Sequence, residues 1–74
     1  MAQISLAGAR VSAGYTQETL AKELGVTRNT IINWETGKKK MKTVNLYAFC
    51  MATGFDPKDI FLPSEFTNSE SEVN

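Results

Sequence analysis

The sequence of 74 residues contains no histidine and one cysteine, Cys50. Histidine is the most common general acid–base residue and a frequent zinc ligand, so its absence disfavours histidine-based catalysis and structural zinc. A single thiol forms no disulfide within the chain, which is typical of a reducing compartment. We therefore expect a cytoplasmic protein that is not an enzyme and has no metal, cofactor or small-molecule substrate.

Long apolar runs are also absent. No stretch approaches the ~18–20 apolar residues of a membrane span, and no basic start leads into the apolar segment of a signal peptide. The hydrophobic content is 42%, which is ordinary for a globular chain. We expect one small domain over residues 1–62, followed by an acidic polar tail or linker over residues 63–74, and no membrane association.

The net charge is zero, because eight Lys and Arg residues balance eight Asp and Glu residues. These charges are unevenly distributed. All eight basic residues and five acidic ones precede Pro63, a net charge of +3, and residues 63–74 carry three acidic residues. Residues 27–42 hold five basic residues against Glu35 alone, a net charge of +4. An isolated basic triplet is most often a solvated loop, so the residues around it decide whether this segment indicates a nucleic-acid partner.

Apolar residues recur at helical spacing and predict an all-α fold, a compact bundle of five short helices with no strand. The predicted helices cover residues 3–13, 16–24, 28–36 and 43–53, with a last one starting at residues 56–57. Thr16, Thr27 and Thr43 are the expected N-caps of helices two to four. The sequence Asp56-Pro57 is typical of a capping residue followed by proline at the first helical position.

The second and third predicted helices form a helix-turn-helix. Ala21 is small where the two helices cross, and Gly25 allows the positive φ angle that a short turn needs. Val26 and Ile31 are expected to pack the third helix on the second. Polar residues then remain on the outer side of the third helix, where arginine is suited to pair with guanine and asparagine with adenine.

This segment resembles the helix-turn-helix family of phage repressor and Cro proteins, the XRE-type regulators. The resemblance covers roughly residues 6–61. Its motif positions are Ala9-Arg10, Gly14-Tyr15-Thr16-Gln17, Leu20-Ala21, Leu24-Gly25-Val26-Thr27, Ile31, Trp34-Glu35, Gly37-Lys38, Leu46 and Gly54-Phe55. Two positions depart from the family pattern: Met41 stands where a proline is common, and Thr53 where an apolar residue is common.

The resemblance implies a lambda-repressor-like fold and a sequence-specific regulator of transcription that binds double-stranded DNA. It implies a phage or prophage protein that binds a palindromic operator as a homodimer through the major groove. The residues expected to read base edges are Thr27, Arg28, Asn29 and Asn33. Those expected at the DNA backbone are Gln17, Thr30, Lys38, Lys39, Lys40 and Lys42. Arg10 and Glu35 match a structural ion pair between the first and third helices.

Two expectations concern the end of the chain. Phe61, Leu62 and Phe66 are apolar beside a polar tail, so they are candidates for a dimer contact, although Phe61 would equally complete the monomer core. The acidic tail suits a segment that folds on a protein partner. The alternative function is therefore an antitoxin or antirepressor whose helix-turn-helix serves autoregulation or partner binding.

Overall fold

The computed structural model of the chain describes residues 3–62. Within that range the chain forms four α-helices, one 3-10 turn and a pair of very short strands. In chain order these elements are β1 (Ile4–Ser5), α1 (Leu6–Ser12), α2 (Gln17–Leu24), α3 (Arg28–Thr36), α4 (Thr43–Thr53), the 3-10 turn (Pro57–Asp59) and β2 (Ile60–Phe61).

The prediction of a fifth helix and of a fold without strands was wrong. After Asp56 the chain makes only the 3-10 turn and then continues as β2, which pairs in parallel with β1 so that Ile4 lies opposite Ile60. The pairing joins residues 56 positions apart in the sequence, and no local pattern signals so distant a contact. The buried Ile60 holds β2 against the core.

The first helix begins later than predicted. Residues 4 and 5 form β1, and the Ser5 hydroxyl accepts a hydrogen bond from the Gly8 amide at 2.9 Å, which caps α1. A Cβ atom at Gly8 would lie 2.9 Å from Cγ1 of Ile4, closer than carbon atoms normally pack. Glycine at this position therefore lets β1 lie directly on α1.

The threonine caps of α2 and α3 are confirmed. Thr16 and Thr27 accept hydrogen bonds from the amides of Thr19 and Thr30, and Thr16 and Thr19 together form a capping box. The cap predicted for α4 was wrong, because the N-cap residue is Lys42, which makes no side-chain capping bond. Glycines 25, 37 and 54 end α2, α3 and α4 as predicted.

One hydrophobic core lies between the helices and includes β2. Trp34 and Cys50 are both buried in it. Burial, and then the negative charge of Asp56, raise the pKa of the Cys50 thiol, so this thiol stays protonated. The buried core residues are Leu6, Ala9, Leu20, Ala21, Ile31, Trp34, Met41, Phe49, Cys50 and Ile60.

The two departures from the family pattern are both accommodated. Met41 is buried in the core, so it anchors the loop after α3 at the position where a proline is common. The Thr53 hydroxyl donates to the Phe49 carbonyl oxygen at 2.9 Å, which satisfies the polar group within its own helix. Met51, by contrast, does not pack in the core, because its side chain is exposed.

Candidate nucleic-acid interface

Helices α2 and α3 form a helix-turn-helix, and both helices contribute buried residues to the hydrophobic core. Leu20 and Ala21 of α2 are buried in the same cluster as Ile31 and Trp34 of α3. Gly25 has a φ angle of 72°, a left-handed conformation that side chains disfavour, so glycine is needed at this turn. This packing fixes one side of α3 and leaves its other side facing solvent.

The solvent side of α3 begins with the residues predicted to read bases. Thr27, Arg28 and Asn29 are exposed around the first turn, and Asn33 is half-buried one turn later. Arg28 makes no ion pair with any residue from 3 to 62. Its guanidinium is therefore open to an external acceptor such as a guanine edge or a phosphate.

The hydroxyl groups of Thr27 and Thr30 are held by each other. Their Oγ1 atoms lie 2.9 Å apart in a hydrogen bond, and Thr27 Oγ1 also accepts from the Thr30 amide at 3.2 Å. A hydroxyl has one donor and two acceptor positions, so hydrogen-bonding capacity remains at this pair. Thr27 thus starts the helix and is also placed where a base-reading residue is expected.

The Glu35 side chain connects the helix-turn-helix to α1 through hydrogen bonds. Its Oε2 accepts from Arg10 Nε at 2.6 Å, and its Oε1 accepts from Gln17 Nε2 at 3.1 Å. Arg10 Nη1 also donates to the Tyr15 carbonyl oxygen at 3.0 Å. The Arg10 and Glu35 side chains are only 13% and 9% exposed. One carboxylate therefore connects α1, α2 and α3.

The contact between Gln17 and Glu35 was not expected from the sequence. The family resemblance implied only that Gln17 contacts the DNA backbone. One N–H of the Gln17 amide is occupied by Glu35, and the second N–H remains for another acceptor. Residues 16–18 and Arg28 line a common groove. The structure therefore places Gln17, a candidate for contact with the DNA backbone, next to Arg28, a candidate for base reading.

The loop after α3 carries the basic residues. Lys38, Lys39 and Lys40 are exposed, and Lys42 is exposed at the start of α4. The Lys39 amide donates to the Asn33 carbonyl oxygen at 3.2 Å, which turns the loop back on the end of α3. Arg10–Glu35 is the ion pair found among residues 3–62, so the lysines have no acidic partner in that range.

A family model described as helix-turn-helix matches residues 6–60. The chain belongs to the Cro/C1-type helix-turn-helix family, the XRE family. The resemblance inferred from the motif positions is thereby confirmed, and the arrangement of the helices fits a lambda-repressor-like fold. No curated protein matches the chain at a significant level.

Members of the Cro/C1-type family are DNA-binding regulators and not enzymes. The protein is accordingly a DNA-binding regulator of transcription, and its partner is double-stranded DNA. In the part of the chain that the structure describes, no group of three His, Cys, Asp or Glu side chains is placed to hold a metal ion. No helix in that part is long and apolar enough to cross a membrane.

The residues predicted for a dimer contact do not form one exposed patch among residues 3–62. Phe61 is exposed in β2, whereas Leu62 packs partly against the core. Phe66 lies outside the described residues, as does the acidic tail on which the alternative antitoxin or antirepressor function depends. Among residues 3–62, the most exposed large apolar side chain belongs instead to α4 and is Met51.

Proposed function

We propose that this protein is a phage- or prophage-type Cro/repressor-like regulator that reads a palindromic operator as a dimer. The observation that carries the proposal is the pairing of two surfaces. The first turn of α3 presents polar side chains that the core leaves uncovered, and the next loop presents lysines without acidic partners. Polar groups suited to base edges thus lie beside cations suited to phosphates.

Phosphate contacts set the position of α3 on the duplex. The candidates are the second N–H of Gln17, the Thr30 hydroxyl and the basic loop, whose lysines are Lys38, Lys39, Lys40 and Lys42. Lysine contacts release counterions from DNA whatever its sequence. They contribute affinity and fix the register, and discrimination between sequences is left to α3.

Base reading is assigned to the exposed side of α3. Arg28 is suited to the O6 and N7 acceptors of guanine, and Asn29 and Asn33 are suited to adenine. Thr27 lies at the helix start and reaches a base edge or a thymine methyl group from the same side. The Arg10–Glu35 pair faces inward, so it holds the three helices together and makes no contact with DNA.

A dimer follows from the small size of the reading surface. The first two turns of one short helix reach only a few base pairs, which is too little to specify an operator. Two copies related by two-fold symmetry would read two half-sites about one turn, ~34 Å, apart along the DNA. The operator would then be palindromic.

The proposal is tested by selecting binding sites from random duplex DNA with the full chain. We expect an enriched palindrome whose half-site centres lie about 10–10.5 base pairs apart. Arg28→Ala should lower specific affinity by ~1–3 kcal/mol and relax the preference at one base position in each half-site. The matched control is Lys58→Ala, which removes an exposed cation from the 3-10 turn and should leave the motif unchanged.

Two results would contradict the proposal. Selection without enrichment would reject sequence-specific reading, and enrichment of an isolated, asymmetric site would reject the palindromic dimer. An unchanged motif for Arg28→Ala would remove the assignment of Arg28 to a base.

A further inference from the structure

The Gln17 side chain connects a candidate DNA contact to the buried ion pair. Gln17 Nε2 donates to Glu35 Oε1 at 3.1 Å, while Arg10 Nε donates to Glu35 Oε2 at 2.6 Å. An ionised carboxylate accepts hydrogen bonds and donates none, so it faces the NH₂ end of the Gln17 amide and not the amide oxygen. Glu35 therefore determines which end of this amide points inward.

The remaining donor of Gln17 is on the same nitrogen atom. The two N–H bonds of an amide nitrogen diverge, so the second one points away from the carboxylate oxygen that accepts the first. Gln17 is half-buried, and residues 16–18 together with Arg28 line the groove beside it. A phosphate oxygen at this groove only accepts hydrogen bonds, so it needs the same NH₂ end of the amide that Glu35 selects.

The backbone that carries Gln17 is held by the same ion pair. Arg10 Nη1 donates to the Tyr15 carbonyl oxygen at 3.0 Å, two residues before Gln17. The Thr16 hydroxyl accepts from the Thr19 amide, and the Thr19 hydroxyl accepts from the Thr16 amide, so a capping box closes the start of α2. The backbone and the amide group of Gln17 are therefore both held in the absence of DNA.

We infer that Glu35 is a positioning residue for DNA binding, which holds the Gln17 amide in the orientation that donates to a phosphate. This role rests on the proposed function, which assigns Gln17 to the DNA backbone. A free glutamine side chain samples several rotamers and both orientations of its amide, and the loss of this freedom on binding lowers affinity. Glu35 orders the side chain during folding, so DNA binding does not include that loss.

The charge of Arg10 allows a carboxylate to have this role. An unpaired anionic side chain behind a phosphate contact would repel the phosphate. The Arg10 guanidinium is paired with the Glu35 carboxylate, and both side chains are nearly buried, so the pair is neutral as a whole. A substitution of Glu35 should therefore affect both the stability of the helix-turn-helix and its affinity for DNA.

The test is a double-mutant cycle of Gln17→Met and Glu35→Gln in the full chain, measured by fluorescence titration with a site selected from random DNA. Gln17→Met keeps the length of the side chain and removes its donors, so it should weaken binding about tenfold. Glu35→Gln should weaken binding about two- to tenfold. Added to Gln17→Met it should cause no further loss, because no amide remains to be positioned.

A purely structural role of Glu35 gives a different result. A displaced α2 or α3 would weaken binding equally with and without the Gln17 amide, and the loss of a negative charge alone would strengthen binding. The matched control is Glu23→Gln, which removes an exposed carboxylate from α2 and should not weaken binding. Circular dichroism selects a temperature at which every variant is folded. Glu35→Asp, which shortens the side chain and keeps the charge, replaces Glu35→Gln if that variant does not fold.

A second measurement needs no DNA. Nitrogen relaxation in the isotope-labelled free chain should show a Gln17 side-chain amide that is ordered on the picosecond–nanosecond timescale. The exposed Asn29 side-chain amide is the comparison and should be mobile. Glu35→Gln should make the Gln17 amide as mobile as that of Asn29.

Three results would overturn the positioning role of Glu35. The first is an effect of Glu35→Gln on affinity that is the same in both backgrounds, including no effect in either. The second is a Gln17 amide that is as mobile as that of Asn29 in the unsubstituted chain. The third is an unchanged affinity for Gln17→Met, which would leave no contact to position. Failure of the proposed function is distinguishable from all three, because the unsubstituted chain would then select no site from random DNA.

Discussion

At the scale of single residues, two arginines of the same chain have opposite environments. Arg10 is nearly buried, with its guanidinium divided between Glu35 and the Tyr15 carbonyl oxygen. Arg28 is exposed at the start of α3 and has no ion-pair partner among residues 3–62. Burial of a charged group requires a partner, so Arg10 is held in place by Glu35, and Arg28 keeps its donors for a ligand.

The first prediction concerns the Glu35 carboxylate. Glu35→Gln should lower the free energy of unfolding by about 1.5–3 kcal/mol, because it leaves the nearly buried Arg10 without its counter-ion. Urea denaturation measures the loss. Glu23→Gln removes an exposed carboxylate from α2 and should change stability by no more than about 0.5 kcal/mol. Equal effects of the two substitutions would mean that the Arg10–Glu35 pair contributes nothing specific.

At the scale of elements, the N-cap residue of α3 has both a structural role and a proposed role in DNA binding. Thr27 caps the helix through its hydroxyl and is also a candidate for reading a base. By contrast, Lys42 occupies the N-cap of α4 without a side-chain capping bond. Substitutions at Thr27 and Lys42 can therefore separate the effect of a helix cap on stability from the effect of a DNA contact on binding.

The second prediction uses that difference. Thr27→Ala should lower the free energy of unfolding by ~1 kcal/mol because the bond to the Thr30 amide is lost, whereas Thr27→Ser should retain most of it. Lys42→Ala should leave stability nearly unchanged and weaken DNA binding. Thermal and urea unfolding of the three variants check the stability, and titration with operator DNA checks the binding. If Thr27→Ser is as unstable as Thr27→Ala, the hydroxyl is not the stabilising group.

At the scale of the whole molecule, the net charge of zero conceals a basic surface. Residues 27–42 carry five basic residues and one acidic residue, and that acidic residue, Glu35, is already paired with Arg10 in the structure. The positive charges of this segment are therefore without acidic partners in residues 3–62. Total charge is a poor guide to the partner of so small a protein, because the field at the surface depends on where the charges lie.

The third prediction concerns this basic surface. Lys39→Ala should weaken binding to operator and random DNA alike and reduce the slope of log affinity against log salt by ~1, because one fewer counterion is released. A fluorescence titration at several salt concentrations measures the slope. Lys58→Ala, which removes an exposed cation elsewhere, should not alter it. An unchanged slope for Lys39→Ala would place this lysine away from the phosphates.

The sequence alone was sufficient for what depends on neighbouring residues. Capping threonines, helix-ending glycines and apolar spacing act within a few residues, so Thr16, Thr27 and the ends of α2 and α3 were predictable. The motif spacing led to the family for the same reason. The basic segment was also visible, because those charges are consecutive or nearly so in the chain.

Only the tertiary structure decided what depends on residues far apart. The pairing of Ile4 with Ile60 replaced the predicted fifth helix, and the bond from Gln17 to Glu35 joined two residues that the sequence treated separately. The sequence also did not show which side of α4 faces solvent. Apolar residues surround that helix, so periodicity does not identify its buried face, and only packing against α1 and α2 leaves Met51 exposed.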